Sequence, residues 1–173
     1  MPFDLLNIED LPEADKLLIR AAQSVMERAY NPYSGFHVGS AAITIRGKIY
    51  LGTFMENASY GLTICAEPAA LMAANTAGDL NIIGMAIVGG HPSQMPEGVI
   101  TPCGRCRQII YEAAQVNGQD ISLLCCNRDA SRIMKTSIYE LLPVPFSGRP
   151  SSFGDQRQHT GNKSAVAAAV QSV

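Results

Sequence analysis

The sequence predicts an α/β fold, a mixed β-sheet with helices packed on it. Three observations carry that expectation. After a single hairpin signal, helical and strand patterns alternate along the chain. Ile82-Ile-Gly-Met-Ala-Ile-Val88 is a continuous apolar run of the kind found in a strand buried on both faces. Hydrophobic residues make up 47% of the 173 positions, ample for a core in about one domain's length.

The first helix opens at Asp10-Leu-Pro-Glu13, which has the form of a capping box with Pro12 in the first turn. Leu17, Leu18, Ala21, Ala22, Val25 and Met26 follow at helical spacing. Proline disfavours a helical residue before it, so this helix ends ahead of Asn31 and Pro32. Residues 38–46 and 49–54 flank a Gly47-Lys48 turn and read as a β-hairpin. A second helix starts near Cys65 and runs to Ala77, where Gly78 stops it. The apolar strand over 82–88 comes next, then a loop with His91, Pro92, Pro96 and Gly98 leading to Pro102. A third helix runs from about Cys103 to Val116 and stops at Asn117-Gly118. Ile121 to Cys126 is another strand, and Ser137-x-x-Glu140 caps a short helix that ends at Leu142-Pro143. From Ser147 onward Ser, Gly, Gln, Arg and Asn take over. Residues 1–146 are therefore expected to form the functional domain. Residues 147–173 are expected to be an extension, loosely ordered or packed on a neighbouring subunit.

Charged residues are only 16% of the chain and the net charge is −2. So little charge predicts that another subunit covers part of the surface, as in a homo-oligomer. Lys and Arg never form a run, which speaks against nucleic acid as partner. The apolar stretches fall short of the roughly 18–20 residues of a membrane span. The first ten residues lack the charged and apolar regions of a secretory signal. With five cysteines, an odd number, a disulfide framework is not expected. A reducing, cytoplasmic setting leaves metal ligation, catalysis or burial for the thiols.

Two of the helix starts carry cysteine: Cys65-Ala66-Glu67, and Pro102-Cys103-Gly104-Arg105-Cys106, a C-x-x-C pair. A helix N-terminus offers free N–H groups and the positive end of the dipole, which favour the thiolate that binds zinc. Cys65, Cys103 and Cys106 make three ligands for Zn²⁺, leaving a fourth position open as in a catalytic site. Glu67, two residues after a ligand, can face that position as a general base and acid without binding the metal. The alternative is a closed structural site with His91, His37 or Cys125 as fourth ligand. Cys125 and Cys126 sit in a strand pattern and are most simply buried apolar side chains.

Tyr33-Ser34-Gly35-Phe36, Val38-Gly39, Glu56-Asn57-Ala58, Cys65-Ala66-Glu67, Pro102-Cys103-Gly104-x-Cys106-Arg107-Gln108 and Glu140-Leu141-Leu142-Pro143 occur in the order and spacing of the cytidine deaminase family, which the chain resembles over about 14–146. The resemblance implies helices on both faces of the sheet, an α/β/α arrangement, and a homotetramer. It implies zinc on Cys65, Cys103 and Cys106. Glu67 would carry a proton from water to N3 of a cytosine nucleoside and then to the amine leaving C4. It implies Phe36 as a ring stacked on the base, the Ala66 backbone as a base contact and Glu56 as acceptor for a sugar hydroxyl. Phe146 would be the C-terminal aromatic that reaches a neighbouring subunit's site.

Two positions depart from the family pattern. Phe54 stands where the family has a ribose-binding Asn, and losing such a hydrogen-bond partner costs about 1–3 kcal/mol. Pro68 stands where the family has an Arg that offsets thiolate charge. Arg105, inside the C-x-x-C loop, is placed to substitute, a feature that resembles the blasticidin-S deaminases. The expected function is therefore hydrolytic deamination of cytidine or deoxycytidine. The alternatives are deamination of a modified cytosine compound and a zinc-stabilised interaction module without catalysis.

Overall fold

The computed structural model describes residues 4–93 and 98–148. Six strands form one mixed sheet, β1 (Leu5–Leu6), β2 (His37–Thr44), β3 (Ile49–Thr53), β4 (Ile82–Gly90), β5 (Ser122–Asn127) and β6 (Ile133–Ser137), in the order β1-β6-β5-β4-β2-β3. Among these neighbouring strands only the β4–β5 pairing is parallel. Helix α1 (Glu13–Met26) covers one face, while α2 (Ala66–Thr76) and α3 (Gly104–Asn117) cover the other. The expected α/β/α arrangement is present.

Side chains alternate across the sheet and split the core in two. Ala41, Ile43, Ala86, Val88, Leu124 and Cys126 meet Leu18, Ile19 and Ala22 of α1. Ala42, Met85, Ile87, Leu123 and Cys125 meet Ala70, Leu71 and Ala74 of α2 and Ile110 and Ala114 of α3. The adjacent cysteines of β5 thus point to opposite faces, both buried, as their strand pattern predicted.

Two glycines set how closely the helices lie on the sheet. A methyl group on Gly39 of β2 would fall 2.2 Å from the Ala22 carbonyl oxygen of α1. One on Gly52 of β3 would fall 2.3 Å from the Ala66 carbonyl oxygen and 2.2 Å from the Ala70 nitrogen. The first turn of α2 therefore rests directly on β3, and this fixes the position of Cys65 and Glu67.

The local sequence signals fared unevenly. The Ser137–Glu140 capping box forms at the start of α4 (Ile138–Leu141), and Gly118 ends α3 in the left-handed conformation. The box expected at Asp10 does not form. Asp10 closes a 3₁₀ turn, Pro12 is the helix cap, and Glu13 turns outward to an ion pair with Lys16 at 3.0 Å. In α1, Leu17 is exposed and Ile19 takes the inner position beside Leu18. Strand β6 gave no usable sequence signal, because Lys135 interrupts its short apolar run. Lys135 is instead the partner of the buried Asp15 on α1. Of the extension over 147–173, all but Ser147 and Gly148 lies outside the described residues.

Candidate active site

The site is built from the N-terminal ends of α2 and α3, beside the carboxyl end of β4. Ligand sites in open α/β sheets collect at such strand ends. Cys65 is the cap residue of α2 (φ −70°, ψ 159°) and Cys103 the cap residue of α3 (φ −65°, ψ 168°). Extended backbone at a cap aims the side chain over the helix end, where the first N–H groups have no intrahelical partner. Neither sulfur makes a capping hydrogen bond. Cys106 lies one turn into α3 and is fully buried, with its Sγ 3.4 Å from that of Cys103.

The Sγ atoms of Cys65, Cys103 and Cys106 all lie within 4.8 Å of one another. Tetrahedral zinc with Zn–S bonds of about 2.3 Å spaces its sulfurs about 3.8 Å apart, inside the range seen here. The hydrogen bond with Cys106 is the main cause that draws the Cys65 thiol down to about 7. The same pairing, with burial, pushes Cys106 up. The three thiols thus form a compact cluster, and this donor set fits the metal. Among the described residues, no other group of three Cys, His, Asp or Glu side chains brings its ligand atoms so close.

Glu67 is the second residue of α2 and only 4% exposed. Its carboxyl is outside the ligand set; burial raises its pKa, against a smaller lowering by Cys106. Pro68, also buried, is the third residue of α2. The first four N–H groups of a helix need no intrahelical acceptor, so proline removes nothing there. Arg105, the second residue of α3, donates from Nη2 to the Thr63 carbonyl at 3.3 Å. It joins the first turn of α3 to the extended segment entering Cys65, and its charge helps to hold the Cys65 thiol down.

A rim of extended backbone surrounds this cluster. Met55 and Ile64 exchange N–H···O bonds of 2.9 Å in an antiparallel bridge, which sets Phe54 across from Cys65 and Glu56 across from Thr63. Phe54 is half-buried, and its N–H donates to the Val38 carbonyl at 3.0 Å. Glu56 is 6% exposed, so it is not a solvated surface residue. Its Oε2 accepts from the N–H of Tyr33 at 2.9 Å and of Ser34 at 3.3 Å. Hydrogen bonding from the Ser34 side chain, then from these backbone groups, holds its pKa down. Glu56 thus clamps the turn that leads into Phe36, and Asn31 Nδ2 closes it by donating to the Phe36 carbonyl at 2.9 Å. Ala66 is buried between Cys65 and Glu67, and Phe146 is 78% exposed.

The residues offered as a fourth ligand do not join the cluster. His37 lies 3.6 Å from Glu27 on the α1 face, His91 packs at Gly35, and Cys125 is buried in β5 with its thiol pushed up to about 12 by that burial. Two residues went unassigned at the sequence level. Arg107 donates to the carbonyls of Pro102 (2.8 Å) and Leu141 (3.0 Å), fixing the loop before Cys103 against α4. Gln108 holds the backbone of Phe146. Their one sequence signal was the Arg-Gln pair after Cys106, which spacing alone cannot interpret.

A family model described as the cytidine and deoxycytidylate deaminase zinc-binding region matches residues 12–118, which include the three cysteines and Glu67. The chain is 39% identical over 142 residues to a probable cytidine deaminase of Dictyostelium discoideum, covering 82% of this chain and 87% of that one. It is 36% identical over 132 residues to a cytidine deaminase of Halalkalibacterium halodurans, covering 76% and 93%. Among solved structures it is similar to a cytidine deaminase from Burkholderia pseudomallei, with a TM-score of 0.66 and 39% identity, covering 75% of this chain and 97% of that one. One from Mycobacterium tuberculosis gives a TM-score of 0.59 at 37% identity, covering 76% and 95%.

Proposed function

The chain belongs to the cytidine and deoxycytidylate deaminase family, and from that premise we propose that it hydrolyses the 4-amino group of cytidine or deoxycytidine, releasing ammonia and the uracil nucleoside. The observation that carries this reading is three convergent thiols with a buried carboxyl beside them that is not one of the ligands. Cys65, Cys103 and Cys106 would hold one Zn²⁺. When bound, the metal supplies the Lewis acidity that makes water nucleophilic at neutral pH.

Glu67 takes one proton from the attacking water and delivers it to N3 of the ring, then takes the second from the new C4 hydroxyl and gives it to the departing amine. Burial suits it to this work, because raising its pKa makes the carboxylate a stronger proton acceptor than an exposed one. Phe36 stacks on the base and the Ala66 backbone contacts it. Glu56, whose Oε2 holds the turn before Phe36, also accepts from a sugar hydroxyl. Phe54 lies where a sugar edge would come, opposite Cys65. Arg105 offsets thiolate charge in place of an arginine at Pro68.

A homo-oligomer, in its full form a tetramer, completes the reading. Tyr30, Tyr33, Met55, Tyr60, Leu62 and Ile64 are all exposed around the rim, an apolar surface that a second copy would cover. Phe146 would then enter a neighbour's site. The free thiols suit the reducing cytoplasm, and among the described residues no helix is long and apolar enough to cross a membrane. The relatives reported above are named for cytidine, which does not favour a modified cytosine compound as substrate; Glu67 does not favour an inactive module.

The test is elemental analysis of the native protein alongside a deamination assay on cytidine and deoxycytidine. One zinc per chain and ammonia release, both lost in Cys103→Ser, are expected. Native protein with no zinc, or with zinc but no release of ammonia from either nucleoside, overturns the reading.

A further inference from the structure

Gly35 has φ +65°, a left-handed conformation that glycine adopts at little cost. It lies in the turn between Asn31 and Phe36, and its N–H donates to the Asn31 carbonyl at 3.0 Å. Glu56 and Asn31 secure this turn through the hydrogen bonds already described. The open side of Gly35 is closed by an imidazole. A methyl group on Gly35 would lie 2.9 Å from His91 Nε2 and 3.4 Å from His91 Cδ2. The backbone of the turn therefore rests on the edge of the His91 ring.

The ring is itself held. His91 Nδ1 accepts from the Ser93 N–H at 3.2 Å and lies 2.8 Å from Ser93 Oγ. An Nδ1 that accepts a backbone N–H places the ring proton of the neutral imidazole on Nε2, the atom nearest Gly35. The pairing of β2 with β4 ends at His37 and Gly90, so the next residues outward are Phe36 and His91. His91 also begins the connection from β4 to Cys103. One side chain thus lies between the turn carrying Phe36 and the segment leading to the metal ligands.

We propose that His91 is a positioning residue for substrate binding. Its ring, oriented by Ser93, is the floor under Gly35 and fixes the angle at which Phe36 meets the base. This rests on the role given to Phe36 under Proposed function. Without the floor, the permissive backbone of Gly35 is free to leave its conformation and Phe36 moves with it. The free enzyme must then be ordered on each binding event. The loss falls equally on bound substrate and transition state, because Phe36 neither gives nor takes a proton and its contact with the ring is present in both. Such a loss raises KM and leaves kcat alone.

A double-mutant cycle on the zinc-loaded protein tests this, with cytidine as substrate. His91→Ala is expected to raise KM about 3–10-fold with kcat within about twofold, at unchanged zinc content. Gly35→Ala is expected to raise KM further, because the methyl meets the ring and φ is unfavourable for alanine. In the double variant the smaller side chain at 91 leaves room for that methyl, so the combined KM effect is smaller than the product of the two single effects. If His91→Ala does not fold, His91→Asn replaces it in the same cycle. Asparagine keeps an acceptor for the Ser93 N–H and leaves the gap under Gly35. An active wild type with KM unchanged in the position-91 variant overturns the proposal alone. So do effects that simply multiply, or a joint loss of zinc and kcat. A wild type that deaminates no cytosine nucleoside overturns the underlying reading as well.

Discussion

Gln108 and Phe146 exchange two hydrogen bonds. Gln108 Nε2 donates to the Phe146 carbonyl at 2.8 Å, and the Phe146 N–H donates to Gln108 Oε1 at 3.1 Å. A primary amide with one donor and one acceptor side by side matches an extended peptide in this way. The backbone of Phe146 is thereby fixed to the second turn of α3, just past Cys106, while its ring stands 78% exposed. An aromatic ring held rigidly and left in solvent has the form of an interface anchor.

Gln108→Ala should therefore weaken cytidine binding although Gln108 touches no substrate. Two partly exposed hydrogen bonds are worth about 1 kcal/mol together, or about fivefold in KM. Phe146→Ala should raise KM by at least as much, with kcat little changed. Steady-state kinetics and the sedimentation coefficient of each variant are the measurements. Unchanged KM in both variants, in a protein that still associates, would show that Phe146 serves no neighbouring site.

Glu67→Gln should keep one zinc per chain and the wild-type Tm, because the amide is isosteric and the position is buried. Turnover should fall by about 10⁴-fold, the top of the range for one general acid–base group, since Glu67 carries a proton more than once per cycle. Ammonia release by the purified variant is the readout. Turnover within tenfold of wild type would remove Glu67 from the proton path.

Arg105→Gln should lower activity, zinc affinity or both by about 10–100-fold, the usual loss for a residue that supports metal ligands. The guanidinium both ties Thr63 to α3 and lowers the Cys65 thiol. Arg105→Lys separates the two contributions, since it keeps the charge and loses the fixed geometry. Competition with a chelator of known affinity measures zinc binding. Wild-type values for both variants would place the charge compensation elsewhere.

Phe54→Asn should lower KM for cytidine and deoxycytidine with less effect on kcat. An amide opposite Cys65 restores a hydrogen-bond partner for the sugar and makes room for it, and one recovered partner is worth about 1–3 kcal/mol at most. Comparing the two nucleosides shows which hydroxyl gains. A wild type that already binds cytidine tightly, with no improvement in the variant, would mean that Phe54 does not face the sugar.

Much of the molecule was legible in the sequence because local rules govern it. The hairpin, the buried strand β4 and the helices α2 and α3 follow from periodicity and from the glycines and prolines that end them. Cys65, Cys103, Cys106 and Glu67 were legible because a helix start fixes side-chain direction within a few residues. What the sequence left open depends on neighbours far along the chain. Asp10 fails as a cap because Pro12 takes that place and Glu13 pairs with Lys16. β6 exists because β5 offers it an edge, despite a charged residue that only Asp15 of α1 makes tolerable there. Glu56 was expected as an acceptor for a sugar hydroxyl; only the folded chain brings Tyr33 and Ser34, more than twenty positions away, onto its oxygen. Gln108 carried only the Arg-Gln pair after Cys106 and His91 only its place in a proline-containing loop, and neither names the backbone that the residue meets. Periodicity reports which face a residue takes, because that is set by its own φ and ψ. Which partner it meets is set by how strands and helices far apart in sequence are packed, and only the tertiary structure decides that.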